Sequence, residues 1–214
     1  MAKAAWLTLN PTSGAGNATI QNTGTIHTGR VQRETTVTSV ATGVSPNKTY
    51  QVIQKAKPEF VNFTNGSETS VGKEGGTLTI TGKTNSSKLT FALLDLTDSS
   101  STGIVEGGLK LTLPANYDAG GAATANGVAI VDDPGAESEF TFSIVFSNIP
   151  ANTTIDELTA ALKVTTAGGQ SAQITIKQTA GDPSFAFGQA TITLEASGAA
   201  VSQTIISNTE WTLS

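Results

Sequence analysis

Alternation of apolar and polar residues at a period of two runs through most of the chain. The clearest case is 139–147, where Phe140, Phe142, Ile144 and Phe146 share one face. Leu109, Leu111 and Leu113 alternate up to Pro114. Leu78 with Ile80, Ile174 with Ile176, and Tyr50 with Val52 repeat the pattern more briefly. This spacing predicts half-buried β-strands, with further strands at 5–10, 18–21, 35–41 and 88–94. One segment reads differently. Thr154-Ile155-Asp156-Glu157 fits a capping box, and Ile155, Leu158 and Leu162 fall on one helical stripe. Residues 152–163 are therefore expected to form one short helix crossing between strands. Residues 117–126 are rich in Gly and Ala and show no strong period.

Composition agrees with an all-β fold. The chain has 214 residues, of which 35 are Thr and 22 Gly. The branched Cβ of Thr suits a pleated surface, and Gly supplies the positive φ of tight turns. The net charge of −5, with no run of Lys or Arg, argues against a nucleic-acid partner. No apolar run reaches the roughly 20 residues that span a bilayer as a helix, so no membrane partner is expected. Without cysteine there is no disulfide framework, thiolate metal site or thiol nucleophile. The start, Met1 to Trp6, lacks the apolar core of a secretion signal and predicts release into a cytoplasm.

The chain also repeats itself. Tyr50 to Gln54, a linker and Pro58-Glu59-Phe60 resemble Ile174 to Gln178, a linker and Pro183-Ser184-Phe185. Gly75, Leu78 and Asn85 return as Gly198, Val201 and Asn208, so the repeat is about 124 residues long. Leu7-Thr8-Leu9 before Pro11 likewise echoes Leu111-Thr112-Leu113 before Pro114. The simplest division is a complete sandwich at 58–182, the first half of another at 183–214 and a second half at 1–57. The expected fold is all-β, with two immunoglobulin-like sandwich units, one of them split between the chain ends.

Read in the order C-end then N-end, Ser207 to Thr212 followed by Trp6 to Asn17 resembles consecutive parts of a BACON domain. Arg30 or Arg33, the strand at 35–41 and Val52-Ile53-Gln54 continue the likeness. These immunoglobulin-like sandwiches occur in surface proteins of Bacteroidetes and in virion proteins of crAss-like phages. Residues 58–182 match more loosely, lacking the Trp pair. The resemblance implies a non-enzymatic virion structural protein made in the host cytoplasm, most simply a capsid auxiliary or decoration protein. Its partners would be copies of itself and a major capsid protein or another virion protein. The alternative that it implies is a glycan- or mucin-binding adhesion module.

Two outcomes remain open for the split unit. Its halves meet within one chain, or the half at 183–214 is completed by a neighbour's 1–57. A sandwich with an odd number of strands enters and leaves at opposite poles, roughly 35–40 Å apart. The linkers at 55–58 and 179–183 each reach only about 17 Å. A crossing helix would change that parity. In either case Trp6, Leu7, Leu9, Phe185, Phe187, Ile205, Trp211 and Leu213 are the expected assembly interface.

Catalytic residues are not legible in the chain, and no cofactor or metal is expected. His27 stands alone in a Thr/Gly loop, and Ser13 near Gly14 and Gly16 lacks the strand–turn–helix setting of a nucleophile elbow. Asp95, Asp98, Asp132 and Asp133 follow no calcium-loop spacing, and Asp133-Pro134-Gly135 reads as a turn. Tyr117, in an irregular stretch, is the candidate glycan contact.

Overall fold

The computed structural model describes residues 3–94 and 108–214. Strands in chain order are β1 (Leu7–Asn10), β2 (Gln21–Gly24), β3 (Arg33–Ser39), β4 (Lys48–Gln54), β5 (Val61–Phe63), β6 (Glu68–Val71), β7 (Gly76–Thr84) and β8 (Leu89–Leu94). They continue as β9 (Asn116–Ala119), β10 (Ala122–Ala125), β11 (Phe140–Ile149), β12 (Leu158–Thr166), β13 (Ser171–Gln178), β14 (Phe185–Phe187) and β15 (Ile205–Ser207). The fold is an all-β sandwich. Among the described residues the only helical element is a 3-10 turn at Pro134–Ala136.

The middle of the chain builds two facing sheets. One has the order β10-β9-β11-β7-β5, the other β6-β13-β12-β8. All pairings are antiparallel except β6 with β13, which is parallel. Period-two faces supply the core from both sides. Ile80, Phe142, Ile144 and Phe146 come from the first sheet; Leu89, Leu162, Val164, Ile174 and Ile176 come from the second. Each such side chain contributes about 1.5–3 kcal/mol when fully removed from water. Phe142 packs edge-on to Phe63 at 6.0 Å and to Phe91 at 5.7 Å, which ties the two sheets together.

Segment 152–163 is not a helix. From Leu158 it belongs to β12, paired with β13 on one edge and β8 on the other. The residues that resemble a helix cap close a loop instead. Asn152 Oδ1 accepts from the Thr154 amide at 3.0 Å, and Asn152 Nδ2 donates to the Asp156 carbonyl at 2.7 Å. The helical stripe Ile155-Leu158-Leu162 competes with the alternation Ala160-Leu162-Val164-Thr166, all of it buried. Val164, Thr165 and Thr166 are β-branched and favour the strand.

Two other departures concern the Gly/Ala-rich stretch and the Leu109–Leu113 run. Asn116–Ala119 and Ala122–Ala125 form a hairpin closed by Gly120 and Gly121, both at positive φ. Leu109 and Leu111 are buried in the core as expected, but their backbone forms no strand.

The chain crosses this sandwich from one pole to the other. It arrives at Pro58 beside Asn85, past the end of β7, where Asn85 Nδ2 donates to the Pro58 carbonyl. It leaves at Asp182 beside Lys73, just before β7 begins. β7 has nine residues, so the two poles lie about 30 Å apart.

Candidate functional site

Outside the central sandwich lie three short antiparallel hairpins. β1 pairs with β2 and β3 with β4 upstream; β14 pairs with β15 downstream. The two upstream hairpins are joined to each other, Tyr50 Oη donating to Asn22 Oδ1 and Gln54 Nε2 to the Thr25 carbonyl, both at 2.8 Å, and Leu7 and Val37 are buried there. No second sheet covers β14 and β15. Of the 18 exposed large hydrophobics among the described residues, 14 lie in 3–57 or 183–214, whereas only Leu7 and Val37 of the buried ones do. Five of these exposed residues, Tyr50, Ile53, Phe185, Phe187 and Ile206, are strand residues facing water and the rest lie in the flanking loops; exposed apolar strand residues of this kind mark an interaction surface.

The residues expected at an assembly interface divide by half. Leu7 is buried, Trp6 and Leu9 are half-buried, and Ile205 is half-buried. Phe185, Phe187, Trp211 and Leu213 are exposed. Trp6 lies beneath Arg33, whose guanidinium carbon sits 4.8 Å from the ring centroid. Phe185 and Phe187 stack edge-on at 5.1 Å. Trp6 and Trp211 are not brought together. Among the described residues no strand pairing, hydrogen bond or ion pair joins 3–57 to 183–214.

Each half is fastened to its own pole of the central sandwich, and the two fastenings match. At the upstream pole, Asn85 Oδ1 accepts from the Phe60 amide at 3.0 Å, and Asn85 Nδ2 donates to the Thr28 and Pro58 carbonyls at 3.0 and 3.3 Å. At the downstream pole, Asn208 Oδ1 accepts from the Ser184 amide at 2.7 Å, and Asn208 Nδ2 donates to the Thr153 and Asp182 carbonyls, both at 2.9 Å. The Lys57 amide donates to the Gly29 carbonyl at 2.9 Å; the Gly181 amide donates to the Thr154 carbonyl at 2.7 Å. Every partner is displaced by about 124 residues, the period read from the sequence.

The same correspondence explains His27. It is buried, and Nε2 lies 2.7 Å from the Val31 carbonyl. Asn152 makes the equivalent bond to the Asp156 carbonyl, also four residues on. His27 is therefore a loop residue, a staple across one turn.

The upstream joint also carries charge. Arg30 bonds to the Asn85 carbonyl, pairs with Asp133 and has Glu59 at 4.0 Å. Burial lowers the Arg30 pKa from its ordinary value, and the Glu59 carboxylate opposes that. At the downstream joint a polar cleft of about 270 Å³ lies between Lys73, Asn152, Asp182 and Asn208. Its cation, Lys73, is already paired with Asp182. Among the described residues no three His, Asp or Glu side chains are grouped to hold a metal ion. Asp95 and Asp98 lie outside the described residues.

Tyr117 is not a surface contact. It is buried in β9, with its ring edge-on to Phe91 at 4.9 Å. Burial pushes its phenol pKa up, with the backbone of Leu89 opposing. The reason is the β9–β10 hairpin, which turns one face of an aperiodic stretch into the core.

No protein-family profile matches the chain. Nor does any curated protein.

Proposed function

We propose that this chain is a non-enzymatic virion structural protein, a capsid auxiliary or decoration protein of a Bacteroidetes phage, and that it assembles through complementary half-sandwiches. One observation carries the assembly reading. Residues 183–214 hold the counterparts of β5 and the end of β7, in the same register: Phe185 opposite Ser207 and Phe187 opposite Ile205, as Val61 is opposite Thr84 and Phe63 opposite Gly82. Residues 3–57 hold the counterparts of β12 and β13, since Arg33 lies opposite Gln54 as Leu158 lies opposite Gln178. What one half lacks, the other has, and they stand at opposite poles of the sandwich between them.

The virion assignment is supported by the resemblance to BACON domains in phage proteins. Partners on this reading are other copies of the chain and a capsid protein. The second reading, glycan binding, keeps one aromatic candidate in Trp211, which is 48% exposed. Tyr117, buried in β9, does not serve it.

Mass measurement over a concentration series tests the assembly reading, with and without 183–214. The full chain is expected to associate and the shortened one to stay monomeric. A full chain that remains a compact monomer at high concentration overturns it. Mass spectrometry of purified particles tests the virion assignment, and a glycan array with Trp211→Ala tests the second reading.

A further inference from the structure

The matching joints and the matching registers together specify how two copies would meet. In the central sandwich β7 runs antiparallel to β11, with Gly76 opposite Ile149, Leu78 opposite Phe146 and Gly82 opposite Phe142. The counterparts of β7 in the downstream half are residues 199–207, of which only 205–207 are strand. The counterparts of β11 in the upstream half are residues 18–24, of which only 21–24 are strand. In each segment that would pair, a stretch, 199–204 in one and 18–20 in the other, is thus left without regular structure.

Side-chain volumes also complement each other across that pairing. In the central sandwich Gly82 makes room for Phe142, whose ring lies 2.2 Å from where a glycine Cβ would stand. The counterpart of Gly82 is Ile205 and that of Phe142 is Ala18. Large and small have changed sides, so a layer built from Ile205 and Ala18 keeps its volume, the kind of swap that packed cores tolerate. On the second sheet β6 runs parallel to β13, with Thr69 opposite Ile176. The counterparts, Ile192 and Val52, are both apolar and neither is buried.

We propose that 183–214 of one copy is completed by 7–54 of a second copy in a single register, Ala199 opposite Gly24, Val201 opposite Asn22 and Ile205 opposite Ala18. We further infer that the product is an open head-to-tail rod. This rests on the half-sandwich reading above and adds its register and its geometry. Asn85 and Asn208 make the same three bonds at opposite poles, so each sandwich is set on the last by the same displacement. A repeated displacement from pole to opposite pole extends and does not turn back, as a heterologous contact without closure must. A two-chain ring would need every one of its four like joints to bend the axis by about a quarter turn.

Because the chain has no cysteine, the register can be read by cross-linking. Gln21 and Ser202 are both exposed, and the register sets them opposite each other, as Val145 is set opposite Thr79. Directly opposed Cα atoms about 4.5–5.5 Å apart suit a disulfide. Oxidising a chain carrying Gln21→Cys and Ser202→Cys should give a non-reducing ladder of two, three and more chains. A mixture of the two single variants should stop at two chains. Gln21→Cys with Thr204→Cys, two residues off register, should link at least ten-fold less. A ladder equally strong from the Thr204 pair overturns the register. A single closed species of two chains overturns the rod while leaving half-sandwich exchange intact. Unlinked chains that are also monomeric by mass overturn both.

Discussion

Asn208 repeats at one pole of the central sandwich the three hydrogen bonds that Asn85 makes at the other. Asn85 is wholly buried, whereas Asn208 is half-buried and holds a hairpin that nothing covers. The same amide chemistry thus works in two environments. Replacing Asn85 with Ala strands the Phe60 amide and the Thr28 carbonyl out of water, at a cost of about 2–3 kcal/mol. Replacing Asn208 with Ala leaves groups that water can reach, at a cost of about 0.5–1 kcal/mol. Urea unfolding should separate the two, and loss of self-association should be the stronger effect of Asn208→Ala.

Gly82→Ala should be among the most damaging single changes. The new methyl would meet the Phe142 ring at 2.2 Å and the Asn62 carbonyl oxygen at 2.3 Å. Strand β5 and the core ring cannot both yield, so a loss of about 2–4 kcal/mol is expected. Gly43→Ala, on an open turn with nothing within 4 Å, should cost only the strain of its positive φ, about 1 kcal/mol. Thermal melts of the two variants check the contrast.

His27→Asn should preserve stability to within about 0.5 kcal/mol, because Asn152 already makes the same carbonyl contact in the repeat. His27→Ala should cost about 1–2 kcal/mol, since the Val31 carbonyl loses its partner and the loop its filling. Equal damage from both substitutions would separate His27 from the role that Asn152 plays.

Tyr117 predicts an alkaline weakness. The folded chain holds its phenol proton more tightly than the unfolded chain does, because burial disfavours the phenolate. Its contribution is complete below about pH 10 and is lost as pH rises through the raised folded value. Tyr117→Phe should flatten the fall of unfolding free energy above about pH 10. An unchanged slope would contradict the burial.

The strands with one buried face were the most legible. Phe140 to Phe146 alternate and do so in the core, and the repeat alone pairs Gln54 with Gln178 and Asn85 with Asn208. Both glutamines donate to a carbonyl at 2.8 Å, Thr25 for the first and Pro150 for the second. Short range misled where one string served two periods. Ile155, Leu158 and Leu162 satisfy a helix, but only the presence of β8 and β13 on either side decides for a strand. The β9–β10 hairpin was hidden because small residues carry almost no period, and Tyr117 was misplaced with it. That the halves stand at opposite poles depends on where Pro58 and Asp182 fall along β7, which no local pattern encodes.

The buried core of the central sandwich is drawn from residues 63 to 176. Its folding is therefore a first-order event, indifferent to how much protein is present. Whatever comes to shelter Phe187 and Val201 must arrive by encounter, at a rate set by supply. Maturation of the molecule falls into two stages with different concentration laws, and dilution should hold the second back while sparing the first.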